Sequence, residues 1–299
     1  MPRVSIGVPV YNGERYVAET LDSLLRQTFG DFELVICDNA SLDRTEQICR
    51  AYADRDARIR YARNPTNLGA AGNYRRALEL STGEYFRWAN ADDLFAAEGL
   101  ARCVEVLDRE PSAVLAYPRT KLVDEHGEVI SEYEDNLDLP SPRASERFVQ
   151  VMERIGYVNV IYGLMRTDAL RRTRLLRSFP QGDIPLVAEL ALYGTFREIP
   201  EFLFFRRFHP GALSSRQGDV GQTQEFFDPS TKGRLAMTQW RLLGAHAGSV
   251  MRAPLARAEK ARLGWFLARM AIWRRHALAR ELIEAVRYAM QRVRLAFAG

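Results

Sequence analysis

Val4-Ser5-Ile6-Gly7-Val8-Pro9-Val10-Tyr11-Asn12-Gly13-Glu14 is the stretch that decides the fold. Val4, Ile6, Val8 and Val10 alternate as one face of a strand. Val17, Leu21, Leu24 and Leu25 then take helical spacing, and a new apolar run follows from Phe32 to Cys37. A switch from strand period to helix period and back marks a βαβ unit. The pattern recurs. Asp43 is placed to cap a helix, with Glu46 three residues on. Ile59 to Ala62 then reads as a strand, Ala70 to Leu80 as a helix and Tyr85 to Trp88 as a strand. A helix with Leu100, Val104 and Leu107 on one side leads to the strand Val114 to Tyr117. Such alternation predicts an α/β fold, a mostly parallel sheet flanked by helices.

Composition narrows the classes. Of 299 residues, 47% are hydrophobic and 27% charged, which supports a buried core and excludes wholesale disorder. Cys37, Cys49 and Cys103 lack the spacing of a zinc site or a disulfide framework. No apolar run reaches the roughly 18 residues that cross a bilayer, and Met1 to Val10 lacks a signal-peptide layout, so a cytoplasmic protein is expected. The net charge of +4 is uneven, because Arg252 to Arg294 carries eleven Arg or Lys against three acids.

In open parallel sheets ligands bind outside the carboxyl ends of the strands. Those ends are polar here: Pro9 to Glu14 with Tyr11 and Asn12, then Asp38 to Asp43, then Asn90-Ala91-Asp92-Asp93. G-x-G-x-x-G is missing from the first turn and no P-loop motif occurs, which removes the main support for dehydrogenase and P-loop readings. Asp92 and Asp93, with no cationic side chain in the same turn, would repel one another without a hard divalent ion, Mg²⁺ or Mn²⁺, shared with substrate phosphates. Asp38 is placed to accept a hydrogen bond from a ligand N–H. Asn67-Leu68-Gly69-Ala70-Ala71-Gly72-Asn73 opens a helix with small residues that let a flat ring or a phosphate approach the backbone.

Beyond Arg119 the pattern loosens. Leu122-Val123 and Val129-Ile130 flank His126-Gly127 as a hairpin, Val158 to Leu164 and Phe202 to Phe205 read as strands, and Pro185 to Tyr193 as a helix. The expected division is residues 1–215 as the main domain (1–118 and 119–215 its halves), 216–235 a loop or linker, and 236–299 a basic helical region. Trp265, Phe266, Ile272 and Trp273, interleaved with Arg262, Arg269, Arg274 and Arg275, suit either an anionic membrane surface or packing on the main domain or a second subunit. No nucleic-acid recognition motif accompanies this charge. His126, His246 and His276 read as ordinary surface or core residues.

The motifs V-P-V-Y-N-x-E (8–14), C-D-N-A-S-x-D-x-T (37–45), N-L-G-x-x-x-N (67–73) and N-A-D-D (90–93) together resemble those of family 2 glycosyltransferases of the GT-A type, over roughly residues 3–215. The resemblance implies a Rossmann-like domain that binds a nucleotide-sugar. Pro9, Tyr11, Asn12 and Glu14 would lie near the nucleotide, Asp38 on the base, and Asn67, Gly72 and Asn73 nearby. The turn with Asn90, Asp92 and Asp93 would hold the metal and diphosphate. Asn90 stands where the family carries an acid. The resemblance further implies inverting transfer, with Asp183 as the base; Gly182 replaces the first acid of the usual pair, and Glu189 is a poorer alternative. Arg207 and His209 resemble the late R-x-H segment that closes over the diphosphate, with His209 also a metal ligand, and Ser214-Ser215 its trailing serine. The implied reaction is transfer from a UDP- or dTDP-linked sugar to a saccharide or lipid-linked hydroxyl, in bacterial cell-surface polysaccharide synthesis, in the cytoplasm or at the inner face of the membrane. Oligomeric state is left open. A non-catalytic nucleotide-sugar-binding scaffold is the rival reading, and a sugar nucleotidyltransferase a weaker one.

Overall fold

The structure, a computed structural model, describes residues 1–211, 220–231 and 235–297. The alternation read from sequence builds β1 (Val4–Val10), α1 (Val17–Leu25), β2 (Phe32–Asp38), α2 (Thr45–Ala53), β3 (Ile59–Arg63), α3 (Gly69–Glu79) and β4 (Tyr85–Trp88). These strands are parallel in the order β3-β2-β1-β4, with Val10 level with Asp38 and Asp38 level with Arg63. Every residue of β1, β2 and β4 is buried, as expected for strands covered on both faces. Parallel pairing brings their carboxyl ends to one edge, so the polar segments that follow them meet there.

The next elements are β5 (Leu94–Phe95), α4 (Gly99–Arg109), β6 (Ala113–Val123), β7 (Val129–Tyr133), α5 (Ala144–Arg154), β8 (Leu164–Arg166), α6 (Thr167–Arg172), α7 (Asp183–Leu190) and β9 (Thr195–Arg207). β8 runs antiparallel to both β4 and β6, so the parallel order ends there and the sheet is mixed. β9 runs parallel to β6, and β5 pairs antiparallel with β9, which carries the end of β9 back to the Asn90–Asp93 turn. The hairpin is as expected, with Val123 opposite Val129. The strand expected from Val158 to Leu164 is instead a 3-10 turn at Asn159–Tyr162, entered by Val158 at φ 61°, and the strand starts only at Leu164. The intervening Gly163 presses on β6; a Cβ there would stand 2.7 Å from the Ala116 carbonyl oxygen.

The stretch expected as a loop or linker carries α8 (Val220–Phe227) and a 3-10 turn at Pro229–Thr231. α8 packs on α3 at Gly69, whose φ of +72° and whose approach to Phe227 (a Cβ would lie 2.4 Å from its carbonyl oxygen) suit glycine. α9 (Thr238–Arg252), α10 (Arg257–Trp273) and α11 (Arg275–Phe297) confirm the helical tail. They share the core: Val250, Leu263, Leu267 and Met270 join Phe148, Val151 and Leu186 in one hydrophobic cluster. Glu189, 1% exposed, accepts from Arg252 Nη2 at 2.8 Å and from the Arg174 N–H at 3.1 Å, tying α9 to α7. Trp265, Ile272 and Trp273 of α10 and Leu282, Ile283, Val286 and Met290 of α11 face outward. Among the described residues no helix is long and apolar enough to cross a membrane.

Candidate active site

Hydrogen bonds lock the tips of β1, β2 and β3 together. Asn73 donates to the carbonyl oxygens of Cys37 (2.8 Å) and Val10 (3.4 Å) and accepts from Asn64 Nδ2 at 2.9 Å. Asn64 also donates to Asn39 Oδ1, and Asn39 donates to Asn67 Oδ1. Amides can each donate and accept, so the buried Asn73, Asn64 and Asn39 pair in a chain that ends at exposed Asn67. Asn39 and Asn64 went unread in the sequence, although the density of asparagine after successive strands is the signal. Gly72 is half-buried one residue before Asn73 on α3.

Asp38 is fully buried and accepts from Ser41 N–H (2.8 Å), the Tyr61 hydroxyl (2.6 Å) and Arg63 Nη1 (2.5 Å). Burial pushes its carboxyl up, but the bonds from Ser41 and Tyr61 and the charge of Arg63 outweigh that and hold it below the usual carboxylate range. Asp38 therefore stays an anion, and Arg63, not foreseen from sequence, shares its corner of the cleft. Pro9 is buried in β1, whereas Tyr11 is 45% exposed over the tips. Asn12, at φ 51°, accepts from Leu42 N–H, and Glu14 accepts from the backbone and side chain of Arg44, so the loops after β1 and β2 are laced to one another. Asp43 accepts from Thr45 and from Glu14 N–H; the N-cap position of α2 is Arg44, so Asp43 braces the loop ahead of the helix where the sequence suggested a cap.

In the Asn90–Asp93 turn the two acids part company. Asp93 is 1% exposed; Oδ1 accepts from the Arg207 backbone N–H (2.8 Å) and Oδ2 from Asn90 Nδ2 (3.1 Å). Burial, then the charge of Asp92, pushes its carboxyl up. Both oxygens thus accept one hydrogen bond each from the protein. Asp92, 31% exposed, faces His209 instead, with Oδ2 and Nε2 3.0 Å apart across 117 residues of chain. Asn90 also donates to the Tyr162 hydroxyl (2.7 Å) and accepts from the Tyr74 hydroxyl. An aspartate at position 90 would set a second carboxylate against buried Asp93 with no proton to offer, which accounts for the missing acid.

Arg207 is also committed to the protein. Its buried guanidinium pairs with Glu19, donates to the carbonyl oxygens of Asp92 (2.9 Å) and Glu125 (3.0 Å), and lies 4.6 Å over the Tyr16 ring. It braces the turn, where the sequence suggested diphosphate contact. Tyr16 also packs against His209, ring centroids 4.8 Å apart. The neighbouring Arg206, which sequence reasoning passed over, turns the other way to the Tyr157 carbonyl (2.7 Å) and Asn159 Oδ1 (2.6 Å). Adjacent residues on a strand face opposite sides.

Asp183 begins α7, half-buried, and accepts from Ile184 N–H at 3.0 Å; burial pushes its carboxyl up, and the charge of Arg206 partly opposes this. The charge of Arg206 also acts on the Asp93 carboxyl, opposing its upward shift. Gly182 leaves no room for the acid expected beside it, because a Cβ would stand 2.2 Å from the Arg177 carbonyl oxygen. Glu189 is a structural partner of Arg252, not a base candidate. Ser214 and Ser215 lie outside the described residues.

Among the described residues no cluster of three or more His, Cys, Asp and Glu is arranged around a metal position. Asp92 with His209 still fits Mg²⁺ or Mn²⁺ that takes its remaining ligands from phosphate and water, since such ions commonly use only one or two carboxylates from the protein.

Comparison with known proteins agrees with this architecture. The family model for Glycosyl transferase family 2 matches residues 5–135. An uncharacterized glycosyltransferase, EpsJ, of Bacillus subtilis is 30% identical over 59% of the chain, and chondroitin synthase of Escherichia coli is 30% identical over 76%. The chain spans about half the length of the first relative (51%) and a third of the second (32%). TarS residues 1–349 from S. aureus, solved with UDP-GlcNAc, superposes with a TM-score of 0.65 at 21% identity, covering 90% of this chain and 72% of that one. Residues 5–135 thus match glycosyl transferase family 2, and the chain has the fold of TarS, the GT-A type expected from sequence.

Proposed function

We propose that the protein moves a sugar, with inversion, from a UDP- or dTDP-linked donor to a hydroxyl of a saccharide or lipid-linked acceptor, serving bacterial cell-surface polysaccharide synthesis. The observation that carries this reading is the meeting of Asp92, within the residues that match the family, with His209, just after β9, at the strand tips. UDP-GlcNAc bound to TarS supports a UDP-linked donor.

Tyr11, Asn12, Glu14 and Asp38 line the nucleotide end, with Asn67, Gly72, Asn73 and Asn90 shaping its floor. Asp92 and His209 would hold Mg²⁺ or Mn²⁺ against the diphosphate, where the ion supplies charge neutralisation as the leaving group departs. Asp183 takes the proton of the acceptor hydroxyl while that oxygen bonds to the anomeric carbon. The bond from that carbon to the diphosphate oxygen breaks on the opposite face, releasing nucleoside diphosphate. Burial suits Asp183 to this task, because a carboxylate whose pKa is raised toward neutrality accepts a proton more readily. A cytoplasmic location, with the outward Trp265 and Trp273 among arginines resting on an anionic membrane, completes the reading.

A panel of nucleotide-sugars with and without Mn²⁺, read by thermal shift and by transfer to saccharide acceptors, tests it. A stabilising donor with metal-dependent transfer is the expected result. A nucleotide that binds without metal and supports neither transfer nor hydrolysis would select the scaffold reading, which the internal commitment of Asn90 and Asp93 favours.

A further inference from the structure

The end of β9 presents two faces. Arg207 and His209 turn toward Tyr16, with the Arg207 guanidinium 4.6 Å over its ring and the His209 ring 4.8 Å away, centre to centre. Arg206 and Phe208 turn the other way, as alternation along a strand requires. The Phe208 N–H still donates to the Val123 carbonyl at 2.8 Å, so the pairing holds past Arg207. On that far side stands Tyr157, 47% exposed. The Arg206 guanidinium lies 5.5 Å from the centre of the Tyr157 ring and 5.6 Å from that of Phe208, and the two rings meet edge to face at 5.9 Å. Tyr133 of β7 adds a third ring, 4.9 Å from Tyr157.

Tyr157 is exposed but not loose. Its N–H donates to the Tyr133 hydroxyl at 3.1 Å and its carbonyl accepts from Arg206 Nη1 at 2.7 Å. Gly156 before it lies against the Tyr133 hydroxyl, where a Cβ would clash. Val158 after it takes φ 61°, a left-handed backbone that is costly for a β-branched residue and tends to persist where a position has a use. The bonds that Arg206 donates to Tyr157 and Asn159 both run through Nη1, and among the described residues Nε and Nη2 have no partner.

Two rings and a guanidinium held at one solvent-facing spot suit a pyranose. Its axial C–H groups form an apolar, slightly positive face that lies on the negative face of an aromatic ring, while its rim hydroxyls accept from a guanidinium. A tyrosine fixed in advance loses little freedom on binding. The position suits the acceptor. Inversion brings the hydroxyl in on the face opposite the departing diphosphate, and these groups occupy the side of β9 turned away from Arg207 and His209; the charge of Arg206 also acts on Asp183. We infer that Tyr157 and Phe208, bridged by Arg206, form a stacking subsite for a pyranose ring of the acceptor, which is therefore a saccharide at the end it presents to Asp183. This rests on the transferase reading and narrows its acceptor class.

The test uses the full chain with ring-labelled tyrosine, the Tyr157 signals being assigned by their loss in Tyr157→Phe. Methyl β-glucoside, methyl β-galactoside and methyl β-N-acetylglucosaminide are added at millimolar concentration, with glucitol, which has the hydroxyls but no ring, as control. At least one pyranoside should shift the Tyr157 signals saturably, and glucitol should not. Phe208→Leu, which keeps apolar bulk and removes the ring, should weaken that binding about three- to ten-fold; Arg206→Met serves if that variant fails to fold. No saturable shift with any pyranoside, an equal shift with glucitol, or unchanged affinity in the variant overturns the inference. So does a Tyr157 shift that follows protein concentration alone, because a second copy would then cover the ring. UDP binding with Mn²⁺, followed in parallel by calorimetry, reports on the transferase reading, so either can fail while the other stands.

Discussion

At the tips of β1 to β3, Asn39, Asn64 and Asn73 satisfy one another and Asp38 is held by Ser41, Tyr61 and Arg63, whereas beyond Arg119 the side chains of Thr120, Gln224 and His246 keep buried polar atoms without a hydrogen-bond partner. A buried polar atom left unpaired costs about 1–3 kcal/mol. The strand tips are therefore paired before any ligand arrives, while the unpaired atoms lie away from them, from Tyr16 and Arg87 to His246. Groups fixed in advance lose little freedom when a ligand binds. Unsatisfied groups mark the places where a substitution has most to gain.

Substitutions can break or sharpen this contrast. The largest effect is chemical: Asp183→Asn should lower kcat by about 10²–10⁴-fold with donor affinity unchanged, measured by transfer assay and calorimetry. If donor affinity fell in step, Asp183 would belong with the strand tips. Asn73→Ala strips partners from the Cys37 carbonyl and the Asn64 amide and should cost about 2–4 kcal/mol in chemical denaturation.

Asp135 supplies a pH test. Burial raises its carboxyl to about 7, opposed first by a hydrogen bond from the Asn159 backbone N–H and then by the charge of Arg206. The unfolded chain loses that proton near pH 4, so the folded state loses stability as pH rises from about 4 to 7, by at most about 1.4 kcal/mol per pH unit, and no further above. Asp135→Asn should flatten this slope, matching the parent near pH 4 and exceeding it at pH 8 in denaturation midpoints. The smallest effect is expected for His246→Phe, neutral or stabilising by up to about 1 kcal/mol, because it removes an unsatisfied group instead of a satisfied one. A large loss there would mean that His246 belongs to a network like that of Asn73.

The βαβ half was legible because its strands are buried on both faces and its helices carry apolar stripes, so periodicity alone set the order up to β4. The segment after Arg119 was less so. A 3-10 turn at Asn159–Tyr162 is as apolar as a strand, and α8 lies in a stretch of Gly, Gln and Asp whose helical form depends on its seat against α3. At the site, motifs located the turn but not the division of labour within it. Asp92 against Asp93, and Arg207 against Arg206, are neighbours of the same type whose roles are set by what lies opposite in space: His209, the end of β9, Glu19 and Tyr157. The absent acids at Asn90 and Gly182 were visible, and only tertiary contacts supplied the reasons.

The link between Glu189 and Arg252 bears on how this enzyme could be re-engineered. A chimera joined upstream of α9 would leave a carboxylate stranded among Leu186, Val187 and Leu190 unless its new tail supplied a guanidinium at the same height. Any exchange of tails between relatives must therefore respect that pairing, whatever else is allowed to vary.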